Sequence, residues 1–187
     1  MEKAFRNDDY AKVTGQAIYT DDLKLHDMLY AVPVYSELPR AKLISLDGSA
    51  ALKQSGVVAI ITAKDIPGNI RYGQIIKDYP ILVDEDINST GDVLALIVAH
   101  TREQAIAAVP FVKVELQPLK PILDPEEAIK PDAEILHPFH GSNLTNYHRV
   151  RRGDVATAEK EADLIIEEEF STSRVEHSYL EPESAIC

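Results

Sequence analysis

Glu176, His177, Glu181 and Glu183 place three carboxylates and an imidazole within eight positions, the densest group of proton-exchanging side chains in the sequence. Groups of this kind serve as general acids and bases when burial and neighbours tune them. Taken from the residues alone, the better account is a polar surface whose members tie a loop together. His137, His140 and His148 offer metal-ligating rings. They sit on proline-broken sequence with no cysteine or aspartate cluster beside them, so exposed connector histidines explain them better than a metal centre. The run Glu167-Glu168-Glu169 cannot converge on a cation from a strand, because adjacent strand residues face opposite ways.

Other chemistries find no pattern. Gly15, Gly48, Gly56 and Gly91 match neither a dinucleotide fingerprint nor a phosphate loop ending in Lys-Ser/Thr. No order of serine, histidine and aspartate marks a nucleophile. Arg152-Gly153-Asp154 invites an adhesion reading, but Asp154 serves equally as the N-cap of the helix that follows. Asn88-Ser89-Thr90 and Asn143-Leu144-Thr145 read as chance matches to the glycosylation pattern.

The elements that would position these residues alternate between short apolar runs and short helical stretches. Strands are expected over 29–34, 42–46, 57–62, 93–99 and 111–116, with a helix over 47–53. Val93–Ala99 is apolar throughout and should be central. Thr101 with Gln104 forms the capping-box pattern of a helix carrying Ala105, Ala108 and Val109 inward, and Pro110 ends it. Residues 67–92 carry Pro67, Gly68, Gly73, Pro80 and Gly91 in polar surroundings, and read as an irregular excursion with a brief strand around 80–83. Prolines 118, 121, 125, 131 and 138 then mark a connector holding a short helix at 126–129. A helix after Asp154 and a long strand over 163–173 complete the order.

Composition bounds what this can be. The 187 residues are 45% hydrophobic and 27% charged, which is globular. Nineteen basic against 31 acidic side chains leave a net charge of −12, so a nucleic-acid partner is not expected. The single cysteine, Cys187, can neither close an internal disulfide nor build a thiolate cluster, which suits a reducing compartment. The N-terminus lacks a signal peptide's apolar core and no run approaches a membrane span, so a cytoplasmic protein without a membrane partner is expected.

Several stretches resemble one family in order. Lys12-Val-Thr-Gly-Gln-Ala-Ile-Tyr-Thr-Asp-Asp-Leu23, Ser36–Asp47, Gly56-Val-Val-Ala-Ile-Ile-Thr-Ala-Lys-Asp-Ile-Pro-Gly68, Gly91–Ala99 and Val175-Glu-His-Ser-Tyr-Leu-Glu-Pro-Glu183 are similar to segments of the molybdenum-binding subunit of the xanthine dehydrogenase and aldehyde oxidase family. Arg40 stands where the family often has His, Asp92 where it has Gln, and Val175 where many members carry a Gln that approaches a molybdenum oxygen ligand.

The resemblance implies an α+β fold: an N-terminal tail over 1–12, an α/β hammerhead domain with a mixed sheet and short helices over 13–129, a connector over 130–160, and over 161–187 the first strand of a truncated molybdopterin-binding domain. It implies the N-terminal part of a molybdenum hydroxylase that oxidises a purine, N-heterocycle or aldehyde with oxygen from water. The molybdopterin-type cofactor would belong to the complete subunit, with iron–sulfur clusters and FAD on partner domains or subunits. Within this chain it implies no catalytic residue and no metal ligand, since the family's glutamate base lies far beyond Cys187. It gives only proximity to the cofactor, for Val175, Glu176 and His177. The isolated chain is then expected to be inactive. The alternative is a free-standing hammerhead scaffold that docks onto separate molybdenum-domain or iron–sulfur chains.

Overall fold

A computed structural model describes residues 9–74, 76–179 and 183–187. In chain order they form α1 (Asp9–Val13), β1 (Tyr30–Tyr35), β2 (Ala41–Asp47), α2 (Ser49–Leu52), β3 (Val57–Ile61), β4 (Arg71–Tyr72), β5 (Tyr79–Pro80), β6 (Asp86–Ile87), β7 (Val93–Ala99), α3 (Arg102–Ala108), β8 (Lys113–Pro118), α4 (Pro125–Ala128) and α5 (Val155–Glu161). By internal contacts the chain divides into two units, Asp27–His148 and a second made of the described parts of Met1–His26 and Arg149–Cys187. None of the described helices is long and apolar enough to cross a membrane.

In the unit Asp27–His148, β7 lies between β1 and β3, as its uninterrupted apolar sequence requires of a strand covered on both faces. Ala95, Ile97 and Ala99 point to one side and pack with Val34 of β1, Ala51 of α2, and Ala105 and Ala108 of α3. Leu94 points to the other and joins Ala41, Val83 and Ile87. One strand thus contributes to both clusters through its alternation. A second sheet has the order β6-β2-β8, and β4 with β5 forms a small third. The expected combination of sheets and short helices is present, and the five described ladders are antiparallel. Pro33 is tolerated in β1 because that strand pairs on one side only, with β7.

The capping box is formed as its sequence predicts. Gln104 N donates to Thr101 Oγ1 and Thr101 N donates to Gln104 Oε1, each over 3.2 Å. Gly56 has φ +80°, and a Cβ there would lie 2.1 Å from the Gln104 side chain, so this glycine serves both its own turn and the cap of α3. After α3, Pro110 lies in a single 3₁₀ turn, and β8 therefore starts at Lys113 rather than at 111.

The excursion over 67–92 holds three two-residue strands rather than one brief strand at 80–83. Tyr72 and Tyr79 meet edge to face at 5.3 Å across the β4–β5 pair. Asp92 closes the excursion. Its carboxylate, in a residue only 4% exposed, accepts from Asn88 N, Ser89 N, Ser89 Oγ and Tyr79 OH at 2.6–3.2 Å. Burial first, then the bond to Asp92, raises the Tyr79 phenol above its ordinary range.

In the second unit, α1 ends at the Lys-Val-Thr-Gly stretch for a local reason. Gly15 takes φ +71°, and the N–H groups of Gln16 and Ala17 return to Ala11 O at 2.8 and 2.9 Å. Asp154 caps α5 by accepting from Thr157 N and Thr157 Oγ1, which holds its carboxyl below the usual aspartate range. The strand expected over 163–173 is not formed, and all its residues are exposed. A strand exists only through a ladder, and no described segment pairs with it.

Candidate functional site

Two places bear on function: the stretch 175–183, singled out by its residue types, and the segment 119–148, singled out by its hydrogen bonds. In the first, Val175, Glu176 and His177 are all exposed. The His177 backbone N–H donates to its neighbour's Glu176 Oε1 at 2.9 Å, and the His177 ring stacks on Tyr179 at 5.9 Å with 10° between planes. Ser178 between them has φ +51°, a turn conformation. Glu181 lies outside the described residues, and Glu183 is exposed.

An anionic pterin cofactor needs N–H and O–H donors and positive charge around it. The described stretch offers an aliphatic side chain, a carboxylate that accepts from its own backbone, and a ring stacked on a tyrosine. By itself this donor set does not fit the group. Among the described residues no cluster of three or more His, Cys, Asp or Glu could hold a metal ion.

The histidines of the connector are separately engaged. His137 Nδ1 lies 2.8 Å from Asp78 Oδ2, His140 Nε2 lies 2.8 Å from Leu144 O, and His148 Nε2 meets Asn146 Nδ2. The last two ties are local, His137 reaches from the connector to the excursion, and the three rings do not converge. Glu167, Glu168 and Glu169 are exposed, and the Asp of Arg152-Gly153-Asp154 serves as the cap described above.

The second place is built around Arg40, at the entry to β2. Its side chain is 7% exposed and its head group grips Glu134, with Nη2 2.6 Å from Oε1 and Nη1 2.9 Å from Oε2. Nη1 also donates to Lys120 O at 2.9 Å, and the backbone oxygen of Arg40 accepts from Leu119 N at 3.0 Å. Paired this way, the Glu134 carboxyl sits below its ordinary range, first through the hydrogen bond and then through the charge of Arg40. The remaining donor, Nε, is buried with no partner in the protein. Arg40 lines a cavity of about 200 Å³ with Ser89, Thr90 and Leu136 among its other walls.

Glu134 passes the connection on. Its backbone oxygen accepts from Asn143 Nδ2 at 2.9 Å, the same amide donates to Ala128 O at 2.9 Å, and Asn143 Oδ1 accepts from Leu136 N at 2.7 Å. Every hydrogen-bonding group of that amide is directed to backbone, which is why the sequon at Asn143 is a structural clamp. Sequence reasoning did not find Arg40 or Asn143 as a pair, because the partners of Arg40 lie 80 and 94 positions away and leave no local pattern. Asp92 had a local signal in Ser89, three residues before it.

Comparison with known proteins gives these two places a common setting. Residues 14–120 match the family described as aldehyde oxidase and xanthine dehydrogenase, a/b hammerhead domain, and residues 136–187 match the molybdopterin cofactor-binding domain. The chain is 36% identical over 182 residues to the nicotinate dehydrogenase large molybdopterin subunit of Eubacterium barkeri, covering 96% of this chain and 42% of that one. It is 38% identical to xanthine dehydrogenase 2 of Arabidopsis thaliana over 178 residues, covering 94% of this chain and 13% of that one. Among solved structures, the aldehyde oxidoreductase of Desulfovibrio gigas superposes with a TM-score of 0.67 at 33% identity, over 71% of this chain and 16% of that one. The chain therefore spans less than half the length of these relatives. With a hammerhead match over more than half its residues, it belongs to the aldehyde oxidase and xanthine dehydrogenase family.

Proposed function

We propose that this chain is the N-terminal part of the catalytic subunit of a molybdenum hydroxylase, which inserts oxygen from water into a purine, another N-heterocycle or an aldehyde. One observation carries the reading: a hammerhead match over 14–120 is followed on the same chain by a molybdopterin cofactor-binding match over 136–187. The cofactor, when bound in the whole protein, supplies the oxidation chemistry. The residues of this chain supply the scaffold and the root of the cofactor-binding segment, and Val175, Glu176 and His177 lie near the cofactor without ligating it.

In this reading the domains are a tail over 1–12, the hammerhead over 13–129, a connector over 130–160 and the start of the molybdopterin-binding domain over 161–187; the cofactor-binding match itself begins inside the connector, at 136. Iron–sulfur and FAD domains or subunits are its partners, and the cytoplasm is its compartment. Elemental analysis of the natural gene product, with dye-linked oxidation of purines and aldehydes, tests the proposal. Molybdenum with substrate-dependent dye reduction supports it, and a metal-free product that oxidises neither class refutes it. A free-standing scaffold is not favoured, because a cofactor-binding match shares the chain with the hammerhead match.

A further inference from the structure

Between residues 119 and 148 no described side chain is buried, and α4 of four residues is the one helix described there. Apolar burial holds this segment only in part, through half-buried Leu119, Ile122 and Leu136. Its polar ties do the holding: Arg40 bonds Glu134 and Lys120 O and accepts from Leu119 N, and His137 meets Asp78. The carboxylate of Glu134 is gripped by buried Arg40, while its backbone oxygen is held by Asn143, which also fixes the Ala128 oxygen and the Leu136 N–H. Arg40, Glu134 and Asn143 thus form a continuous line from β2 to the point where the compact unit ends at His148.

The molybdopterin cofactor-binding match begins at 136, inside this latched segment. Residues 136–148 belong by sequence to the cofactor-binding domain and by contact to the hammerhead unit. We propose that Arg40, Glu134 and Asn143 act as one latch whose task is to position the root of the cofactor-binding domain, so that they are positioning residues for cofactor loading. The inference rests on the function proposed above. Arg40 is suited to it because a planar guanidinium can hold both carboxylate oxygens at once, which a lysine cannot. Separated ties would each fail alone, whereas members of one line fail together.

The test is a double-mutant cycle in the natural gene product: wild type, Arg40→Met, Asn143→Ala and the double variant. Molybdenum per chain is read by elemental analysis, and amide exchange at Ile97 of β7 reports that the core is intact. With Ile97 protection unchanged, each single variant should lower molybdenum content on the order of threefold, and the double should fall no further than the worse single variant. Arg40→Lys should not restore loading. Losses that multiply in the double variant, or unchanged loading in both singles, overturn the latch. A wild-type product without molybdenum instead overturns the proposed function on which it rests. If Arg40→Met loses protection at Ile97, Glu134→Gln takes its place in the cycle, since Glu134 is the exposed member of the pair.

Discussion

Arg40 and Glu134, 94 residues apart in sequence, meet through both carboxylate oxygens at 2.6 and 2.9 Å, and this pair joins the first half of the chain to its connector. The pair has a defined pH dependence. The Glu134 carboxyl is held below its ordinary value in the fold, so its contribution is complete above the unfolded glutamate range and disappears as pH falls through the lowered folded value. Melting temperatures of wild type and Glu134→Gln should therefore differ most above about pH 5 and converge in acid. A difference that grows toward low pH would contradict the pairing.

Asn143→Ala should loosen the segment 119–148 locally. It leaves Leu136 N and two carbonyls without their partner, at a cost of about 1–3 kcal/mol to the local opening of that segment. Native-state hydrogen exchange measures the loss: it should quicken at Leu136 while Ile97 keeps its protection.

Gly56→Ala should cost more than a turn glycine alone would, because the new methyl displaces the Gln104 side chain and opens the capping box. Strain at positive φ is about 1–2 kcal/mol and the lost cap about another 1 kcal/mol. Since both changes act through Gln104, combining Gly56→Ala with Gln104→Ala should cost less than the sum of the two, as measured by urea midpoints.

Tyr79 should ionise above the ordinary tyrosine range, because burial and its bond to Asp92 favour the neutral phenol. A raised folded value means that its contribution is complete below the unfolded tyrosine range and is lost as pH rises through the folded value. Ultraviolet titration of wild type against Tyr79→Phe isolates this phenol. Asp92→Asn should bring it down, since the weakened bond no longer adds to the effect of burial.

Much of the fold was legible because it is local. The apolar run 93–99 identifies a strand covered on both faces, Thr101 with Gln104 announces a cap, and Asp154 precedes its helix. The excursion over 67–92 was legible only as irregular, since its two-residue strands depend on Tyr72 meeting Tyr79 and on the Asp92 carboxylate rather than on any periodic pattern. The apolar residues Leu164, Ile165, Ile166 and Phe170 failed as a guide to a strand over 163–173 because pairing, not propensity, makes a strand. At the candidate site, residue types pointed to Glu176 and His177, while the geometry pointed to Arg40 and Asn143, whose partners no local pattern reveals.

On the function proposed above, the cofactor chemistry belongs to the whole subunit and these residues build its base. The most direct test is the molybdenum and pterin content of the 187-residue chain measured beside the longest natural product of its gene. Metal and pterin are expected in the longer product and neither in the shorter. Stoichiometric cofactor on the 187-residue chain itself would contradict it.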